Sequence, residues 1–214
     1  MVSAADLLDG ELEGGAVYLL YGAAGVGKTT LAMTAAAKTV ARGRKVVWVD
    51  CGGRLYLGRL HQILGLAGAD LGWVYISSPQ TFGEQSDAIL RVADLLPSKT
   101  GLVVVDDFTY LHRLALSGDV SADLHTYETL AFQAALLKEL SLERGIPTLL
   151  VGHVHEIPEQ GISAPVASRI VTFWADAVVR VDYEAGVRRV VEEKPSTYTA
   201  SFRITTEGAL SIRS

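Results

Sequence analysis

The sequence contains no asparagine, a single cysteine and only two methionines. One cysteine, Cys51, excludes an internal disulfide and suits a reducing, cytoplasmic setting. No apolar run reaches the roughly 18 residues that a membrane-spanning helix needs, so no membrane partner is expected. The opening MVSAADLLDGELEGG carries acids where an export signal needs basic residues. Basic residues are few: 19 Lys and Arg face 24 Asp and Glu, a net charge of −5. That excludes a broad basic nucleic-acid surface and leaves room for a local one. Depletion of heat-labile residues fits a thermophile. A GC-rich genome favouring Ala, Gly and Val produces it equally well. What is present is apolar: 49% of the 214 residues are hydrophobic and 20% charged, enough for the core of one large α/β domain.

Apolar runs of β type occur at 16–21, 45–50, 73–76, 102–106 and 148–152. Several lack polar alternation, as strands buried on both faces do. Helical patterns lie between them, at 28–42, 57–66, 82–96 and 127–144. Strands alternating with helices predict βαβ units in a mostly parallel, doubly wound sheet. The end of the chain differs. Short β runs at 177–182, 187–193 and 200–204, with Glu184-Ala185-Gly186 as a turn, predict an antiparallel extension. Residues 117–125 and 156–165 lack periodicity and read as loops.

Gly22-Ala23-Ala24-Gly25-Val26-Gly27-Lys28-Thr29 matches G-x-x-x-x-G-K-[ST] in full, between a strand and a helix. Glycines let the loop turn so that successive N–H groups cradle phosphates, and the helix N-terminus adds positive potential. Lys28, expected to be exposed at the loop end, reaches toward the β- and γ-phosphates. The Thr29 hydroxyl ligates Mg²⁺, and Thr30 completes the contact. A chance match in such a chain has a probability on the order of 1%. About 75 residues downstream, Leu102-Val103-Val104-Val105 ends in Asp106, a carboxylate at a strand's C-terminal edge where ligands bind. ATP and Mg²⁺ are the expected cofactors. Lys28 and Asp106 are the expected catalytic residues, and Thr29 and Asp106 the metal ligands. Asp107 is either a helper or a capping acid.

With both motifs placed, the chain resembles the RecA/RadA recombinase superfamily, and within it archaeal RadB-type paralogues. The similarity runs through Leu7-Leu8-Asp9-Gly10, Gly14-Gly15-Ala16-Val17 and Val47-Trp48-Val49-Asp50. It continues through 150–155, Pro165-Val166-Ala167, the run to Arg180-Val181-Asp182, and Phe202-Arg203-Ile204-Thr205. The resemblance implies a single RecA-like core over 1–214 without the helical N-terminal DNA-binding domain. It puts Arg59 on the adenine as a stacked cation. His153 takes the place of a glutamine that senses the γ-phosphate. His153 and His155 also form an H-x-H pair on one strand face, a metal motif that lacks a third ligand. The family's water-activating glutamate falls at Gly52, in Asp50-Cys51-Gly52-Gly53, so hydrolysis is expected to be weak.

The resemblance further implies homologous recombination and DNA repair. Its expected partners are single-stranded DNA, a RadA-type recombinase or another paralogue, and a homo-oligomer. DNA contact is expected from two segments, 111–125 and 155–168, with Arg113, His125, His155 and Arg169 supplying charge. Tyr110 and Tyr127 are candidates to stack bases. The alternatives are a KaiC-like ATPase, a small-molecule kinase or a nucleotide-gated adaptor without direct DNA binding. A kinase needs a lid, and no lid-like arginine cluster is present.

Overall fold

The computed structural model describes residues 3–9, 11–119, 121–157 and 162–212. Strands β1 (Val17–Gly22), β2 (Lys45–Asp50), β3 (Val74–Ser77), β4 (Thr100–Asp106) and β5 (Thr148–Ile157) form the parallel part of one sheet. A short strand, β6 (Ile162–Pro165), folds back on β5. Then β7 (Ala177–Glu184), β8 (Val187–Lys194), β9 (Tyr198–Thr205) and β10 (Gly208–Ile212) follow. The order across the sheet is β10-β9-β8-β7-β1-β5-β4-β2-β3. Pairing is parallel from β7 through β3 and antiparallel from β7 to β10.

Continuous apolar strands follow from burial on both faces. In β1, Tyr18 and Leu20 enter one core while Val17, Leu19 and Tyr21 enter the other. In β2, Val46 and Trp48 divide from Val47 and Val49 in the same way. The first core is closed by α2 (Lys28–Ala41) and α3 (Leu57–Leu66), through Leu31, Met33, Leu60 and Ile63. The second is closed by α4 (Phe82–Asp94) and α6 (Leu124–Arg144), through Ile89, Leu130 and Leu137. Each of these side chains contributes on the order of 1.5–3 kcal/mol by leaving water. The β7–β8 hairpin turns on Ala185 (φ 50°) and Gly186 (φ 81°), the two positive φ angles that a right-twisted two-residue hairpin demands.

Several expectations are corrected. Segment 111–125 is not a continuous loop: α5 (Tyr110–Ala115) occupies its start, and α6 begins at Leu124 rather than 127. Between them the Asp123 carboxylate accepts from Ser117 N (2.8 Å), Ser117 Oγ (2.8 Å) and Gly118 N (3.0 Å), so the connection is stapled to the helix start. Segment 156–165 is largely the β5–β6 hairpin, whose ladder supplies the backbone partners that a loop would lack. Its residues 158–161, like Gly10 and Val120, lie outside the described residues. Two further short helices, α1 (Ala4–Asp9) and α7 (Ser168–Trp174), complete the fold. Among the described residues no helix is long and apolar enough to cross a membrane.

Candidate nucleotide site

The site lies at the C-terminal edge of β1, β4 and β5, where register sets Gly22 beside His153 and Asp106 beside Val151. The phosphate loop joins β1 to α2. Gly25 (φ 78°) and Gly27 (φ 113°) hold it in a conformation that L-residues resist. A Cβ on Gly27 would also meet Ile204 Cδ1 at 2.9 Å, because the C-terminal extension packs directly on the loop. Lys28 is buried, contrary to the exposure expected from its position. Its Nζ donates to the carbonyls of Gly22 (2.9 Å) and Ala23 (2.7 Å). Burial holds its pKa below the ordinary lysine value, against the pull of Asp107 and Asp106.

The Thr29 hydroxyl donates to Asp106 Oδ2 at 2.8 Å. These two hard oxygen donors stand together on a cavity of about 320 Å³, which Gly25, Lys28, Arg54, Asp107 and His153 also line. Burial pushes the Asp106 carboxyl up to about 6, with Thr29 opposing and Asp107 reinforcing the shift. The Asp107 carboxylate is engaged on both sides. Its Oδ1 accepts from Thr109 N and Thr109 Oγ1, both at 3.1 Å, and its Oδ2 lies 3.2 Å from His153 Nε2. Burial lowers the His153 pKa, with Asp107 opposing, which favours the neutral imidazole.

The Asp106 shift has a testable sign. A carboxyl whose folded pKa is raised stabilises the fold when protonated. That stability is present below the usual carboxylate pKa near 4 and lost as pH rises through about 6. Asp106→Asn removes the buried charge. The nucleotide-free variant should therefore gain on the wild type between pH 4 and 7, by an amount on the order of 1–3 kcal/mol. Thermal unfolding across this range measures the gain, and a difference independent of pH would contradict the assignment. The same variant should weaken the Mg²⁺ dependence of nucleotide binding.

The structure separates the other expected residues. Arg59 lies apart from the cavity lining, with its guanidinium donating to the carbonyls of Thr205 and Thr206 and to Gln62 Oε1 (2.6 Å). Tyr110 lies between the two sets of candidates: its ring carbons would lie 2.5 and 2.6 Å from a Cβ on Gly52, and the Arg113 guanidinium carbon is 5.9 Å from its ring centre. The Asp50 carboxylate is also engaged, accepting from Arg54 N (2.9 Å) and Leu55 N (3.1 Å). Arg113 and Tyr127 do meet, around a cavity of about 340 Å³ whose other side is formed by Pro165, Val166 and Ser168. Tyr127 is braced there edge-on by buried His112, with ring centres 4.9 Å apart. Arg169 and His125 are exposed, and His125 lies 3.9 Å from Glu128. The side chain of His155 lies outside the described residues. Among those described, no three His, Cys, Asp or Glu side chains gather as a metal cage. Sequence reasoning missed Arg54 and Ile204. Asp50 so close to Arg54 hinted at a pinned turn, whereas nothing local marks Ile204.

A phosphate loop at a strand–helix junction, an acid at the end of β4, one strand away across β5, and a RecA-type strand order define a P-loop NTPase. A family model described as an AAA domain matches residues 3–156. A DNA repair and recombination protein RadB from Halobacterium salinarum is 32% identical over 95% of this chain and 89% of its own length. Another from Methanococcus maripaludis is 27% identical over 88% of this chain and 86% of its own. A crystal structure of the RadB recombinase superposes with a TM-score of 0.78, at 27% identity and full coverage of both chains. The chain belongs to the RadB family of the RecA superfamily. A fold of this kind implies nucleotide use, usually with Mg²⁺.

Proposed function

We propose that this protein is an ATP-binding RecA/RadB-type recombinase paralogue that acts in homologous recombination and DNA repair and turns ATP over slowly. The observation that carries this reading is the cluster of buried Lys28 with half-buried Thr29 and Asp106 at the mouth of a glycine-built loop. Lys28 would give up its two loop carbonyls to bind the β- and γ-phosphates. Thr29 and Asp106 would hold Mg²⁺, which neutralises phosphate charge when bound. His153 would face the γ-phosphate, positioned by Asp107. Arg59, held by Thr205, Thr206 and Gln62, would offer the flat face of its guanidinium to the adenine. Residues 1–214 would act as one RecA-like core.

Single-stranded DNA is proposed to lie along the cavity between α5 and the β6–α7 segment, with Tyr127 offering a stacking surface. Binding should weaken steeply with salt, because each neutralised phosphate releases counterions. Arg113→Ala and Arg169→Ala should each flatten the log–log slope by roughly 0.7. Fluorescence anisotropy at graded salt tests this. Absence of binding at low salt would favour the nucleotide-gated adaptor.

The protein partner is proposed to be a RadA-type recombinase. Terminal strand β3 has one edge unpaired among the described residues. Beside that edge runs a groove of about 240 Å³, lined by Tyr75, Ile76, Ala88, Val92, Leu95 and Leu96. Such an edge with an apolar groove accepts an added strand and its side chains. Ile76→Glu should abolish co-purification with the recombinase while nucleotide affinity holds. Retained co-purification would contradict the assignment, and loss of self-association alone would make the occupant a second copy.

A further inference from the structure

The turn after β2 carries no acid that could activate water, but it carries a cation. Gly52 (φ 95°) and Gly53 (φ 66°) reverse the chain, and the Asp50 carboxylate pins the next two amides. Arg54 is thereby set on the rim of the phosphate cavity, among its lining residues with Lys28, Thr29, Asp106 and His153. The guanidinium carbon lies 4.0 Å from the centre of the Tyr110 ring, and that ring covers Gly52. A guanidinium stacked on an aromatic face keeps its in-plane N–H groups available. Among the described residues, no carboxylate lies within ion-pairing distance of Arg54, and its side chain donates no hydrogen bond.

An exposed arginine ordinarily projects into solvent. This one is fixed at its backbone and seated on a ring, beside a cavity whose ligand is an anion. We infer that Arg54 binds the terminal phosphate of the nucleotide from within the same chain, so that the site selects triphosphate over diphosphate. Gly52 and Tyr110 then have a joint role. The bare glycine admits the ring, and the ring carries the guanidinium into the place where the superfamily's acid would stand. A planar donor fork matches phosphate oxygens in a bidentate way and leaves no group to deprotonate water. The site is built to hold ATP rather than to cleave it.

This inference rests on the nucleotide-binding reading, and the test separates the two. Calorimetry would follow ADP and the non-hydrolysable β,γ-imido analogue of ATP, each with Mg²⁺, on the whole chain. Arg54→Ala should weaken the analogue by about 10–100-fold and ADP by less than about twofold, as loss of a charge-assisted contact to the last phosphate requires. Arg54→Lys should restore part of the loss, since charge returns without the fork. Tyr110→Leu should weaken the analogue alone, by less than Arg54→Ala does. Equal losses for both nucleotides, or no loss, would overturn the assignment of Arg54 while leaving nucleotide binding in place. Failure of the wild type to bind either nucleotide would overturn the underlying reading and this inference with it.

Discussion

Replacing Lys28 with alanine should lower affinity for Mg·ATP by about 100-fold or more. A charge-assisted contact to phosphate in a desolvated site is worth on the order of 3 kcal/mol, and about 1.4 kcal/mol is tenfold in affinity. The ammonium is already buried and held by the Gly22 and Ala23 carbonyls, so binding exchanges those partners for phosphate oxygens. Its removal also lifts the cost of burying a charge, which offsets the loss of two hydrogen bonds, so the fold should survive with little change in Tm. Calorimetry beside thermal unfolding checks both halves. Unchanged affinity would remove the basis of the functional assignment.

The second large effect concerns turnover. A general base contributes roughly 10²–10⁴-fold, and typical turnover is about 10 per second, so its absence predicts about 10⁻¹ to 10⁻³ per second. Asp50 offers no ready substitute, since it accepts from Arg54 and Leu55, and Asp107 is held at Oδ1 by Thr109 with its Oδ2 turned to His153. Restoring an acid with Gly52→Glu should bring no gain. Its φ of 95° costs an L-residue on the order of 1–3 kcal/mol, and the new side chain would displace Tyr110. Phosphate release by the wild type and by Gly52→Glu measures this. Many turnovers per second in the wild type would place a base elsewhere, and Asp107→Asn would then be the variant to examine.

Signals that are local and repetitive were legible in the chain. The phosphate loop is written in consecutive residues, and strands buried on both faces appear as unbroken apolar runs. Strand 45–50 and helix 57–66 consequently match the structure at both ends. Short helices were not legible, because α1, α5 and α7 span at most two turns and cannot express a period. The continuation of β5 beyond 152 is not legible, because its residues 153–157 are mostly polar and Val154–Ile157 pair with β6 rather than within the main sheet. Burial of Lys28 depends on carbonyls of its own loop turning inward. The stacking of Arg54 on Tyr110 joins positions 56 apart in sequence, through two glycines whose φ angles no composition reveals.

One measurement bears most directly on the central claim: the identity and amount of nucleotide recovered from the protein after incubation with Mg·ATP. The purified chain would be mixed with radiolabelled ATP, separated rapidly from free nucleotide at successive times, and its bound label resolved into ATP and ADP. The account predicts close to one nucleotide per chain, recovered mainly as ATP for at least the first few seconds, and almost none on Lys28→Ala. Recovery of ADP alone at the earliest time, or of no nucleotide at all, would contradict it.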